Sequence, residues 1–372
     1  APLFTRFKQD FFPFLELMFE RMVDYTEPIC HAIDASLAQM LTFDTSGIEL
    51  YVTENNPKTL NALIKKLKAY YKDNPDVDPY KMAYALMPSQ AAACPDAKQL
   101  YINGHFCYAD KFAILTNGLG IIRHIAFLDD DFKQQHPELI VNKKSDSPDV
   151  DKSIGDSSSL KPVLSDFFAR HPDFHPVTFL GDSTFDSYDI YGFLKDEFHF
   201  SKALIPYNPR NESTLKEVGY NDYGYPTCPN DNSLAMKHLG VTKESGRSDR
   251  IKWGCPKMQY KNGQWHCLCK EPCSTAKKGR TTYTNENMSF RMFPGLQRDT
   301  EEWNRLYKIR TIVERAINHF KINMCVAGRK TRNHITTKAD VFLAGIVSQF
   351  TVIIASRMNC PQYIRSLKPL IA

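Results

Sequence analysis

Hydrophobic periodicity runs along most of this chain and then stops. From Asn208 to about Pro294 the sequence is rich in Pro, Gly, Asn, Lys and Cys, with neither the two-residue nor the 3.6-residue apolar repeat. Regular spacing stands on both sides, so the stretch marks an insertion in a fold begun before it and completed after it. A length of 372 residues suffices for one large domain with insertions, or for two domains. With 42% hydrophobic and 24% charged residues, disordered, collagen-like and coiled-coil readings are excluded.

Before the break the pattern alternates. Residues 1 to 36 carry helical spacing in Phe14, Leu15, Leu17, Met18 and Met22, and Leu37 to Val52 reads as extended. Asn56 to Lys72 fits a basic amphipathic helix, and Pro75 to Pro95 a Pro/Ala-rich connection. Asn117-Gly118 sits between the apolar runs His105 to Thr116 and Gly120 to Leu128, a strong hairpin signal. A polar loop, Lys143 to Ser159, precedes a helix at Leu160 to Arg170. Two short buried strands, Pro176 to Gly181 and Lys202 to Pro206, then flank a helix at Phe185 to Phe198. After the insertion, helix returns at Thr300 to Lys321 and at Asp340 to Met358. This order predicts an α/β fold, a mixed sheet flanked by helices and interrupted by a Cys-rich segment. The expected organisation is an N-terminal helical segment (1–36), a core first part (37–207), the insertion (208–299) and C-terminal core helices (300–372).

Charge is unevenly placed. Lys237 to Arg280 holds eleven Lys/Arg against three Asp/Glu, and Trp303 to Lys338 nine against one. Each block carries +8, so with a net charge of +5 the remainder carries 5 − 16 = −11. Two basic blocks on an acidic body suit a polyanion such as DNA. The longest apolar run, Val341 to Ser356, spans 16 residues and includes Ser348, Gln349 and Thr351, which reads as a buried helix. Phe11 to Met22 is interrupted by Pro13, Glu16 and Glu20, unlike a signal peptide. A cytoplasmic protein without a membrane partner is the expectation.

Three acids stand out. Asp44-Thr45-Ser46 follows MLTF and Asp182-Ser183-Thr184 follows TFLG, so both acids are placed at the ends of buried strands, where α/β sheets gather their sites. The third, Glu314, lies in YKIRTIVERAINHFK with Tyr307, Arg310 and Lys321. At about 100° per residue these four share a roughly 60° arc of one helix, beside an apolar arc of Ile309, Ile312, Val313, Ile317 and Phe320.

The pattern Tyr307-x2-Arg310-x3-Glu314-x6-Lys321 resembles the Y-R-E-K signature of insertion-sequence transposases with an RNase H-like DDE domain. Asp44 and Asp182 match that family's first and second Asp, and the resemblance runs in order from about residue 38 to 358. Asp78, Asp96 and Asp129-Asp130-Asp131 are alternates for the first acid. The resemblance implies an RNase H-like sheet and cleavage of transposon ends, followed by transfer of the freed 3′-hydroxyl strand to target DNA. Two Mg²⁺ ions held by Asp44, Asp182 and Glu314 would serve both steps, since hard Mg²⁺ prefers carboxylate oxygen. Tyr307, Arg310 and Lys321 would contact DNA beside the scissile bond, a homodimer would join two ends, and the location would be the bacterial cytoplasm at the nucleoid. The start at Ala1 falls inside a helical region, so a DNA-binding part is expected to precede it. Two other readings stay open: a non-catalytic DNA-binding protein on the same fold, and an RNase H-like nuclease without strand transfer.

Between Asp182 and Glu314 lie 131 residues, and five of the ten Cys fall within 46 of them. Such clustering favours metal, because thiolates around Zn²⁺ can fold a segment that lacks its own core. Cys228-Pro229 and Cys255-Pro256 with the later Cys267-x-Cys269-x3-Cys273 resemble a zinc-ribbon-like insertion. The expected ligands are Cys228, Cys255, Cys269 and Cys273, with Cys267 as alternate and His266 as an outside candidate. Lys277, Lys278 and Arg280, with Trp253, Tyr260 and Trp265 interleaved upstream, suit phosphate contact and base stacking.

Overall fold

The computed structural model describes residues 2–74, 76–88, 90–102, 105–139, 155–208, 219–221, 225–243, 250–285, 290–291, 294–298, 300–330 and 333–371. Part of the expected polar loop, 143–154, and parts of the insertion lie outside them. The chain divides into two compact units, Ala1–His175 with Thr311–Ala372, and Pro176–Arg310.

The first unit opens with helices α1 (Pro2–Asp10) and α2 (Phe12–Ala38), followed by strand β1 (Met40–Glu49). Then come α3 (Pro57–Tyr70), α4 (Pro79–Leu86), β2 (Gln90–Ala91), β3 (Cys94–Ile102), β4 (His105–Asn117), β5 (Ile122–Phe127), α5 (Asp130–Gln135) and α6 (Asp156–Arg170). The stretch expected as a plain connection therefore contains a helix. Asp78 accepts from Tyr80 N and Pro79 occupies the first helical turn, where its missing N–H costs nothing. Strand β4 is the spine: it pairs antiparallel with β1, β3 and β5. Phe43, Phe112, Ala113 and Ile114 from β1 and β4 are at most 1% exposed, each large one contributing about 1.5–3 kcal/mol of burial.

The C-terminal part of this unit supplies α9 (Thr311–Asn318), a π turn (His319–Asn323), α10 (His334–Arg357) and α11 (Lys368–Ile371). Helix α10 packs on α2 and β5, and α9 on β4 and β1. Among the described residues α10 is the one helix long and apolar enough to cross a membrane, yet 67% of its apolar window is buried in the protein, as in a core helix. Its polar residues have protein partners. Gln349 donates to Ile122 O (2.6 Å) and accepts from Thr26 (2.7 Å), and Arg123 donates to Thr26 (2.9 Å) and pairs with Glu27 (3.1 Å). At the helix start, His334 bonds Asp110 through Nδ1 and Asp129 through Nε2, both at 2.9 Å. Burial would push this imidazole down, but the two carboxylates outweigh it and bring it up to about 9.

The second unit begins with a parallel unit: β6 (Thr178–Leu180), α7 (Tyr188–Asp196) and β7 (Lys202–Leu204). The insertion then forms short antiparallel pieces. Strands β8 (Thr227–Cys228) and β9 (Asp231–Ala235) pair, as do β12 (Met258–Lys261) and β13 (Gln264–Cys267). Strands β10 (Lys237–Thr242), β11 (Arg250–Gly254) and β14 (Thr281–Asn285) make a three-stranded sheet. The β12–β13 hairpin turns at Asn262 and Gly263, both at positive φ (51° and 79°), which Asn and Gly tolerate best. Helix α8 (Glu301–Tyr307) closes the unit. The chain is thus α/β, with antiparallel and parallel strand pairing both present.

Candidate active site and cysteine cluster

Asp44 lies in the middle of β1 opposite Ile114, not at a strand end. The strand runs on because β4 is thirteen residues long and pairs β1 from Leu41 to Glu49. The Asp44 carboxylate is half-buried and accepts from Thr45 N (2.8 Å). On the next residue, Thr45 Oγ1 donates to Asp156 (2.6 Å), which also pairs with Lys111 (3.2 Å). Glu314 projects from the exposed side of α9, whose Val313 and Ile317 are buried. Since α9 packs on β1 and β4, the Glu314 helix is seated on the Asp44 strand.

Lys321 provides the closest link. It falls in the π turn, a helical irregularity that recurs at functional sites. Burial pushes its ammonium below the ordinary lysine range, while Cys107 and the Asp44 carboxylate pull the other way. Lys321 therefore stands within the electrostatic field of Asp44.

The expected single helix carrying all four signature residues is broken. A 3₁₀ turn at Lys308–Arg310 separates α8 from α9, so Tyr307 and Arg310 belong to the second unit and Glu314 and Lys321 to the first. One turn of i→i+3 bonding barely disturbs the apolar repeat, which is why periodicity did not reveal it. Tyr307 stacks on Trp303 with centroids 4.6 Å apart, and the Arg310 guanidinium lies 6.0 Å from the Tyr307 ring.

Asp182, also in the second unit, follows β6 as expected. Its Oδ1 accepts from Thr184 N (2.7 Å) and caps the turn Ser183–Phe185. A second acid of the same segment was not singled out from the sequence. Asp186 is fully buried and bonds Arg291 Nε (2.8 Å) and Asn208 N (2.7 Å). Arg291 is held between the Tyr188 and Tyr207 rings, at 5.0 and 4.9 Å. Asn208 Nδ2 donates to Ser183 O (3.1 Å), so the turn that Asp182 caps is braced from the insertion's start and, through Arg291, from its end. The repeated Asp of GDSTFDS was the available signal.

In the insertion, Lys277, Lys278 and Arg280 are all exposed. Trp253, expected as a stacking residue, is instead core: it is 3% exposed, packs on Tyr225 and donates Nε1 to Thr284 (2.8 Å). Tyr260 and Trp265 face each other across β12 and β13 and remain 62% and 40% exposed. The five cysteines gather in one neighbourhood. Burial pushes the Cys255 thiol up, and Cys228, Cys267 and Cys273 add to the rise. Cys269 N donates to Cys267 Sγ (3.5 Å). Among the described residues, no three His, Cys, Asp or Glu side chains stand in the arrangement of a metal site.

No family model matches the chain, and no curated protein or solved structure matches it either.

Proposed function

We propose that the protein is a DNA transposase of the DDE class on an RNase H-like fold, cutting and joining DNA at Asp44, Asp182 and Glu314. The observation that carries this reading is the seating of α9 on β1 with Lys321 in the field of Asp44. In support, Asp44 shares one compact unit with Glu314 and Lys321, which stand 270 and 277 residues further along the chain. The strand order agrees with an RNase H-like chain: an antiparallel group (β1, β4, β5) followed by a parallel β6-α7-β7 unit.

The donor set fits Mg²⁺ by its chemistry, since all three groups are carboxylates and none is thiol or imidazole. Two Mg²⁺, when bound, would stabilise the attacking and leaving oxygens of an in-line phosphoryl displacement. The chain's own part is to hold the ions through Asp44, Asp182 and Glu314 and to meet the phosphates flanking the scissile bond with Arg310 and Lys321. Tyr307, stacked on Trp303, would contact a terminal nucleotide. The cysteine neighbourhood would take Zn²⁺, with Cys228, Cys255, Cys269 and Cys273 as ligands and Cys267 as alternate. The exposed Lys277, Lys278 and Arg280 would grip transposon-end DNA, a homodimer would bring two ends together, and the work would be done at the nucleoid. Those exposed cations also favour a second reading, a DNA-binding protein that does not cut.

Asp182→Asn separates the two. The native protein, given Mn²⁺ or Mg²⁺ and the DNA that flanks its own coding sequence, should cleave it, and the variant should bind as tightly without cleaving. If native and variant both bind and neither cleaves, the enzyme reading is lost and the binding reading stands.

A further inference from the structure

In the first unit, a pocket of about 300 Å³ lies between α9, the π turn, the end of the β4–β5 hairpin and residues 362–366. Arg315, one residue past Glu314 and so about 100° round the helix, lines it together with His319 and Arg365. Ile312, Ala316 and Phe320 supply apolar wall. No Asp or Glu lines the pocket, and among the described residues neither guanidinium has a carboxylate partner. Two arginines brought together without a counter-charge repel one another, and a bound anion would relieve that cost.

Two details show how the pocket is shaped. Gly120 sits at φ +79°, and a Cβ there would come within 2.6 Å of Ile312 and 3.2 Å of the Arg365 stem. Only glycine lets that wall approach so closely. Burial and the Arg365 charge together hold the His319 imidazole below its ordinary range. Asn323 Nδ2 donates to His319 Nδ1 (2.8 Å), which leaves the proton of the neutral ring on Nε2 as a donor. An adjoining cavity of about 610 Å³ shares His319, Asn323 and Ser366 and adds Lys368, Arg329 and an Asp340 already paired with Lys8 and Arg329, which gives space for a group larger than a bare ion.

We propose that this pocket binds a nucleotide through its phosphate monoester, the phosphate between Arg315 and Arg365 and the attached sugar and base against Ile312, Ala316 and Phe320. Two guanidiniums offer paired donors that match phosphate oxygens, and the apolar wall suits a ring. The phosphate has two sources, a free nucleotide or the 5′-phosphorylated end of a DNA strand. The pocket uses none of Asp44, Asp182 or Glu314, so it stands or falls apart from the cleavage reading.

The test is calorimetric titration of the full chain with dAMP, deoxyadenosine and inorganic phosphate. dAMP should bind at least tenfold more tightly than either other ligand. Arg315→Gln and Arg365→Gln, both at exposed positions, should each weaken dAMP about tenfold with an unchanged melting temperature. Equal binding of deoxyadenosine and dAMP, or unaltered dAMP binding in both variants, overturns the proposal. A duplex bearing a 5′-phosphate, compared with the same duplex ending in a 5′-hydroxyl, identifies the source. Preference for the phosphate end means a DNA end, and no preference alongside tight dAMP binding means a free nucleotide. Cleavage by the native protein with no dAMP binding would remove this pocket and leave the enzyme reading intact.

Discussion

Asp44 and Asp182 are supported in opposite ways. Asp44 stands in a ten-residue strand paired along nearly its whole length with β4, and its unit is tied together by buried polar contacts around Arg123 and His334. Asp182 follows a three-residue strand, and among the described residues the insertion beyond it has a small core of Tyr225, Met236, Ile251 and Trp253. Long paired strands hold themselves by ladder hydrogen bonds and continuous burial, whereas short ones need a local brace. In the second unit the Asp186–Arg291 pair is such a brace, and the cysteine cluster would be another.

The sharpest way to break this contrast is to strip metal from the insertion. With zinc bound, chelation should open residues 208–299 to protease while the first unit stays resistant, because structural zinc in small domains contributes on the order of 10 kcal/mol. Metal analysis should return one zinc per chain, and Cys255→Ser should mimic the chelator. Unchanged protease resistance after chelation would sink the contrast. Next in size, Asp186→Ala should cost about 3–5 kcal/mol, since it strands the buried Arg291 charge. Denaturant melting measures this, and a loss under 1 kcal/mol would mean that the pair is not the brace.

A smaller effect sharpens the first unit's side. The His334 imidazole, brought up to about 9, lies above its ordinary value of 6.5, so the stabilisation it brings is complete below pH 6.5 and is lost as pH rises through 9. The native protein should therefore lose about 3 kcal/mol between pH 6.5 and 10 that His334→Gln lacks. Parallel stability curves for the two proteins over that range would refute the assignment. Smallest on stability, Lys277→Ala, Lys278→Ala and Arg280→Ala combined should leave melting unchanged and lower the slope of log binding against log salt by about 2–3. An unaltered slope would show that DNA does not touch this face.

Much of the first unit was legible because its signals are local. The extended pattern located β1 to within three residues at each end, and Asn117-Gly118 marked the turn between β4 and β5. In the second unit the short buried runs located β6 and β7, with Asp182 just past the end of β6 as expected, whereas Asp44 lies within β1 and not at its end. What escaped depends on contacts distant in sequence. Nothing in the pattern around Trp253 distinguishes a base-stacking ring from one buried on Tyr225, because both look like an aromatic among lysines. Arg315 and Arg365 are fifty residues apart, and only the fold brings them to one pocket. Asp186 was passed over because its partner, Arg291, comes from the far end of the insertion.

That meeting has a consequence for how such a chain can change. Asn208 and Arg291 both bond Asp186, so the insertion leaves and returns at nearly the same point. Closing a longer loop between fixed ends costs only about 0.6 kcal/mol for each doubling of its length. The segment is in effect a cartridge with a fixed socket. Its contents could be lengthened, shortened or exchanged for another module while the Asp182 turn keeps its place, provided that Asp186 and its two partners are retained.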